Sequence, residues 1–154
     1  MKSFNKKGFT LIELLAVIAI LAILFMLVTP NILKMFTSGR TQAFVTQVQS
    51  IYKAAEAEYM SSQFGTATGP IYCSEATDGT KKLDISENKK LKYYVQIDPM
   101  TGKIIKLSVA DQNFYYTSTS SDAVSIDNIS ENVQSLNGKT AGVDCSSGEL
   151  TGIN

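Results

Sequence analysis

The sequence predicts an α+β fold in which one long N-terminal helix packs on a small antiparallel sheet. Three observations predict it. A nearly unbroken apolar run extends from Phe9 to Val28. An apolar stripe at spacings of three and four then passes through Phe44, Val48, Ile51, Ala55 and Tyr59. Beyond Leu91, three β-type runs follow one another with turn sequences between them.

The first element is a membrane helix. Phe9 to Val28 is twenty residues, and Glu13 is the only ionisable one. At about 1.5 Å per residue such a helix spans roughly 30 Å, the thickness of a hydrocarbon core. Fourteen of the twenty are Leu, Ile, Val or Phe. On the insertion scale they supply roughly −4 to −8 kcal/mol, against about 2.5 to 3.5 kcal/mol for a charge at the bilayer centre. The run therefore inserts despite Glu13. Lys2, Lys6 and Lys7 precede it without an acidic neighbour, which keeps the N-terminus in the cytoplasm and sends the rest outward. An ordinary secretory signal has a shorter apolar core and a small-residue cleavage site. Here Thr29-Pro30-Asn31 follows instead, and the better place for a cut is Gly8/Phe9, before the anchor.

The helix is expected to continue to about Ser62, weakened near Pro30 and Gly39. Its second half is amphipathic, with Gln42, Gln47, Gln49, Lys53 and Glu56 off the stripe, and it needs a surface to cover that stripe. Gly65 to Pro70 reads as a loop, and Ile71 to Lys90 is poorly periodic. Leu91–Ile97, Lys103–Val109 and Phe114–Thr117 read as strands joined by Asp98-Pro99-Met100-Thr101-Gly102 and Asp111-Gln112-Asn113. Such short connections make an antiparallel meander, one face of which can cover the helix. Ala123, Ile126, Ile129, Val133 and Leu136 predict a second helix over 121–136, capped by Ser121 or Asp122 and ended by Asn137-Gly138. The last sixteen residues are rich in Gly, Ser and Thr, and Cys145 ties them back.

Composition narrows the chemistry. There is no histidine, so the commonest general base and transition-metal ligand is missing, and no metal or other cofactor is expected. Cys73 and Cys145 are the only cysteines. With export argued, one disulfide closing a loop of about 70 residues is the leading reading, worth roughly 4 kcal/mol. Two free buried thiols are the alternative. Without the three leading lysines the chain has eleven basic against 14 acidic residues, a balance that does not point to nucleic acid. Lys81, Lys82, Lys89, Lys90 and Lys92 form the one local basic excess, interrupted by Asp78, Asp84 and Glu87, and read as a solvated loop surface. Asp98, Asp111 and Glu87 sit in no acid/base or nucleophile motif, so an enzyme is not expected. Tyr93, Tyr94, Tyr115 and Tyr116 leave a weak option of base stacking, because adjacent strand residues point to opposite faces and about half belong to the core.

Gly8-Phe9-Thr10-Leu11-Ile12-Glu13-Leu14, behind Lys6-Lys7, resembles the class III signal of type IV pilins and related pseudopilins. The close resemblance covers about Lys6 to Pro30. The expected architecture is similar to that family too: a long helix, half membrane and half amphipathic, on a small antiparallel sheet. The resemblance implies that prepilin peptidase cuts after Gly8 and that Phe9 is then N-methylated. It implies a role in subunit assembly for Glu13 and a helix break at Pro30. It implies residues 1–8 as leader, 9–30 as transmembrane and assembly helix, and 31–154 as head domain. One cysteine lies soon after the long helix, which departs from the C-terminal disulfide loop of Gram-negative members.

The function so implied is a structural subunit of a surface filament, serving motility, adhesion or biofilm. The alternative is a minor pilin or pseudopilin of a secretion or DNA-uptake system. The implied partners are further copies of the chain, the membrane before assembly, prepilin peptidase, an assembly platform with its ATPase, and minor pilins. The implied location is the cytoplasmic membrane, then the extracellular filament.

Overall fold

The computed structural model describes residues 8–62, 71–76, 79–85, 90–118 and 123–153. Its architecture is a long N-terminal helix followed by a small antiparallel sheet, the α+β arrangement read from the sequence. The chain divides into two compact units, one ending at Arg40 and one starting at Thr41.

Helix α1 (Leu11–Ser62) runs through both Pro30 and Gly39 without interruption. Pro30 has no amide hydrogen, so the ladder loses one bond there. Just before it the Thr29 hydroxyl donates to the Phe25 carbonyl at 2.6 Å. Thr37 donates to Leu33 in the same way at 3.0 Å. In the first unit the apolar side chains from Phe9 to Phe36 are exposed, and the helix is long and apolar enough to cross a membrane.

The second unit has its own core. Phe44, Val45, Val48, Ile51, Ala55 and Tyr59 on α1 are buried against sheet residues that include Tyr93, Val95, Leu107 and Val109. Large apolar side chains buried in this way contribute about 1.5–3 kcal/mol each. The sheet is a five-stranded antiparallel meander of β1 (Ile71–Cys73), β2 (Lys92–Ile97), β3 (Ile104–Ala110), β4 (Phe114–Thr117) and β5 (Gln134–Ser135). A separate hairpin, β6 (Gly142–Val143) with β7 (Leu150–Thr151), closes the chain.

Both faces of the sheet are covered. Tyr93, Val95, Leu107, Val109 and Tyr116 share a cluster with the helix, whereas Tyr94 packs with Val143 and Cys145, and Ala110 with Leu136 and Ala141. Ile104 and Leu107 both face the helix although three residues apart. A bulge permits this: Ile97 pairs with Ile104 and Gln96 with Lys106, leaving Ile105 as the extra residue.

Three stretches differ from the sequence reading. The stretch from Ile71, read as aperiodic, begins with edge strand β1, and Lys81 makes a parallel bridge to Tyr72 on its outer side. The helix expected over 121–136 is a short 3-10 turn, Ile126–Glu131, followed by β5. Ser121 and Asp122 lie outside the described residues, and the cap is Ser125, whose hydroxyl accepts from the Asp127 amide at 3.4 Å. Ser125, Asp127, Asn128, Ser130 and Asn132 are side chains that compete with helical backbone bonds. Pairing of Ser135 with Phe114 and of Gln134 with Tyr115 uses the otherwise open edge of β4. The Gly-, Ser- and Thr-rich tail, for which no element was expected, contains the β6–β7 hairpin.

Candidate functional site

The candidate processing and assembly site is the start of α1. Gly8 and Phe9 precede the helix and are exposed, Phe9 to 93%. Space around Gly8 is open, with no atom within 4 Å of where a side chain would start. Exposure and open space leave the dipeptide accessible to a protease. Residues 1–7 of the leader lie outside the described residues.

Glu13 is tied to Thr10. The Thr10 amide and the Thr10 hydroxyl both donate to Glu13 Oε2, each at 2.8 Å. The Glu13 amide in turn donates to Thr10 Oγ1 at 3.4 Å. This reciprocal pattern is a capping box, which satisfies two orphan amides at the helix start. It also places a carboxylate where the helix dipole favours negative charge. Sequence reasoning missed this role of Thr10. The signal was present as Thr10-x-x-Glu13 ahead of an apolar run.

Cys73 on β1 and Cys145 after β6 form a disulfide, with Cα atoms 5.8 Å apart and a sequence separation of 72. The bond sits in a small cluster with Tyr94 and Val143, on the sheet face away from α1.

Two of the acidic candidates, Asp98 and Asp111, are turn residues. Asp98 Oδ1 accepts from the Met100 amide at 3.0 Å, and Oδ2 from the Thr101 hydroxyl at 2.6 Å. These bonds hold its carboxyl below the usual aspartate range, the Thr101 hydroxyl first. Asp111 Oδ1 accepts the amides of Asn113 and Phe114, each at 2.6 Å. Glu87 lies outside the described residues, as do Asp78 and Lys89. A third aspartate, which sequence reading passed over, does the same work in the C-terminal hairpin. Asp144 accepts from the hydroxyl and amide of Ser146 at 2.7 and 2.8 Å and from the Ser147 hydroxyl at 3.0 Å. Its carboxyl is lowered by the same bonds, the Ser146 hydroxyl first.

The tyrosines do not form a stacking platform. Tyr93, Tyr94 and Tyr116 are buried, and Tyr115 is half-buried with its hydroxyl on Gln134. They were expected to divide between core and solvent, but the covered second face removes the solvent side. Of the lysine cluster, Lys81, Lys82 and Lys90 are exposed, and Lys92 pairs with Glu75.

Residues 3–29 match the family model described as the prokaryotic N-terminal methylation motif. The chain thus carries the class III signal typical of type IV pilins. That signal supports a pilin- or pseudopilin-like substrate of prepilin peptidase, and with the apolar helix it suggests a membrane-anchored precursor. No curated protein and no solved structure matches the chain.

Proposed function

We propose that the chain is a structural subunit of a type IV pilus, cut between Gly8 and Phe9 and methylated on Phe9. The observation that carries this reading is Glu13, the single ionisable residue of the apolar run, one helical turn from the Phe9 amine that cleavage creates. In a growing fibre the amine of one subunit meets the Glu13 carboxylate of the next. Neither charge is then buried alone, which would cost several kcal/mol. The apolar helix from Phe9 to Pro30, shielded by lipid in the precursor, becomes the packed core of the filament. Pro30 marks where it can yield as the remainder, 31–154, becomes the surface. Such head-to-tail contacts repeat without closing and give a fibre. The partners in this reading are an assembly platform with its ATPase and, at the tip, minor pilins. The filament serves adhesion and motility at the cell surface.

The test is electron microscopy of sheared cell-surface filaments with mass spectrometry of their subunits. The chain is expected as the bulk component, beginning at an N-methylated Phe9. Its presence only as a trace would replace this reading with a minor pilin or pseudopilin. Two variants separate processing from assembly. Replacing Gly8 with a bulky residue should leave the leader attached. Glu13→Ala should be cut and inserted but assemble poorly in competition with native subunits. Full filament yield from Glu13→Ala would remove the salt-bridge mechanism.

A further inference from the structure

The turn after β5 carries Asn137-Gly138, with φ of 49° and 84°. Both residues are exposed. The Lys139 amide closes the turn on the Leu136 carbonyl at 3.0 Å. Two left-handed central residues closed in this way make a type I′ turn, which Asn-Gly suits. Space around Gly138 is open, with no atom within 4 Å of where a side chain would start. The Ser135 hydroxyl accepts from the Asn137 amide at 3.3 Å and donates to Asn137 Oδ1 at 3.1 Å. Among the described residues, the other asparagines precede Ile32, Phe114, Ile129 and Val133, all bulky.

We propose that Asn137-Gly138 is a self-modification site, at which the side-chain amide of Asn137 is lost to its own backbone. The Gly138 nitrogen attacks Asn137 Cγ. The new N–Cγ bond closes a five-membered succinimide, and the Cγ–Nδ2 bond breaks. The proton from Gly138 leaves with the departing ammonia. Water then opens the ring at either carbonyl, leaving aspartate or isoaspartate at 137. No oxidant or enzyme is required.

Three features of the site favour the step. Glycine has no Cβ to crowd the attacking nitrogen. Nucleophile and carbonyl belong to adjacent residues, so the reaction is intramolecular. The Ser135 hydroxyl sits on Oδ1, the oxygen where charge develops. The turn bond opposes the step, because the backbone must rotate for the nitrogen to reach Cγ. The fold therefore sets the pace, and the unfolded chain reacts faster. The product adds one negative charge beside Ser135 and Lys139. In the isoaspartate form it also lengthens the backbone within the turn that leads from the sheet edge to the hairpin. An exported chain keeps such a mark, so older subunits differ from newly made ones.

The experiment incubates the full-length chain in detergent at mildly alkaline pH, with and without urea. Peptide mass mapping and isoaspartate methylation follow Asn137 against Asn113, Asn128 and Asn132. Asn137 is expected to convert first in the folded chain, and faster in urea. Ser135→Ala is expected to slow the folded reaction about two- to tenfold, the rate equivalent of one neutral hydrogen bond, with no change in urea. A folded Asn137 that stays intact while the urea sample converts fully would overturn the site. So would conversion no faster than at Asn113, Asn128 and Asn132. A folded Ser135→Ala chain that reacts at the native rate or faster would remove the role of the hydroxyl.

Discussion

The Ser108 hydroxyl donates to the Gly148 carbonyl at 2.8 Å, from a serine with no exposed surface. Ser108 is the one buried polar residue among the described core, and Thr117 Oγ1 lies 3.2 Å from the same hydroxyl. The bond anchors the β6–β7 hairpin on the centre of β3. A second tie joins Lys106 Nζ to the Ser147 carbonyl at 2.7 Å. Ser108→Ala leaves a buried carbonyl without its donor, which costs about 1–3 kcal/mol. Thermal unfolding of the full chain in detergent should shift down by about 4 °C per kcal/mol. An unchanged midpoint would mean that the hairpin is held without this bond.

Gly148 is fixed by a neighbour as well as by its backbone. Its φ is 71°, and a Cβ there would lie 2.4 Å from the Tyr94 ring. Gly148→Ala should therefore cost more than the roughly 1–2 kcal/mol of left-handed strain alone. Combining it with Tyr94→Leu should recover part of the loss, measured as a coupling energy in a double-mutant cycle. Simple additivity would show that the ring is not the obstacle.

The Cys73–Cys145 bond spans 72 residues of sequence and ties edge strand β1 to the hairpin. Opening a loop of that length costs about 4 kcal/mol in the chain-entropy model. Reductant, or the double change Cys73→Ala/Cys145→Ala, should lower the unfolding midpoint, and reductant should then do nothing further to the double variant. Two alkylatable thiols in the native chain under non-reducing conditions would refute the bond.

Acid should weaken the second unit through its turns. Asp98 and Asp144 both have carboxyls held below their ordinary value by hydroxyl and amide donors. The unfolded chain therefore takes up their protons first as pH falls. Their contribution is fully present above the ordinary aspartate value and is lost as pH drops through the lowered, folded one. Midpoints measured from about pH 6 down to about pH 3 should fall, and less steeply for Asp98→Asn/Asp144→Asn. Equal slopes for native and variant chains would assign the acid loss elsewhere.

Much of the fold was legible because it obeys short-range patterns. The stripe Phe44, Val48, Ile51, Ala55, Tyr59 is buried as its spacing implied. The strands β2, β3 and β4 begin and end within a residue of where their runs and turns placed them. In the candidate site the sequence singled out Glu13 but not its partner: Thr10 was given no role of its own and is the N-cap. The helix expected over 121–136 failed because apolar spacing was counted while the polar residues between were not.

The sequence alone determined the apolar N-terminal run and the N-terminal methylation motif, since these depend on residue types in one contiguous stretch. It also determined the helix stripe and the meander. Only the tertiary structure decided that the sheet is covered twice. Tyr93 and Tyr94 alternate like a half-wet strand, yet both are buried, because the distant hairpin around Gly148 and Cys145 closes the second face. Local periodicity specifies which way a side chain points; what lies on the far side of the sheet depends on contacts dozens of residues away.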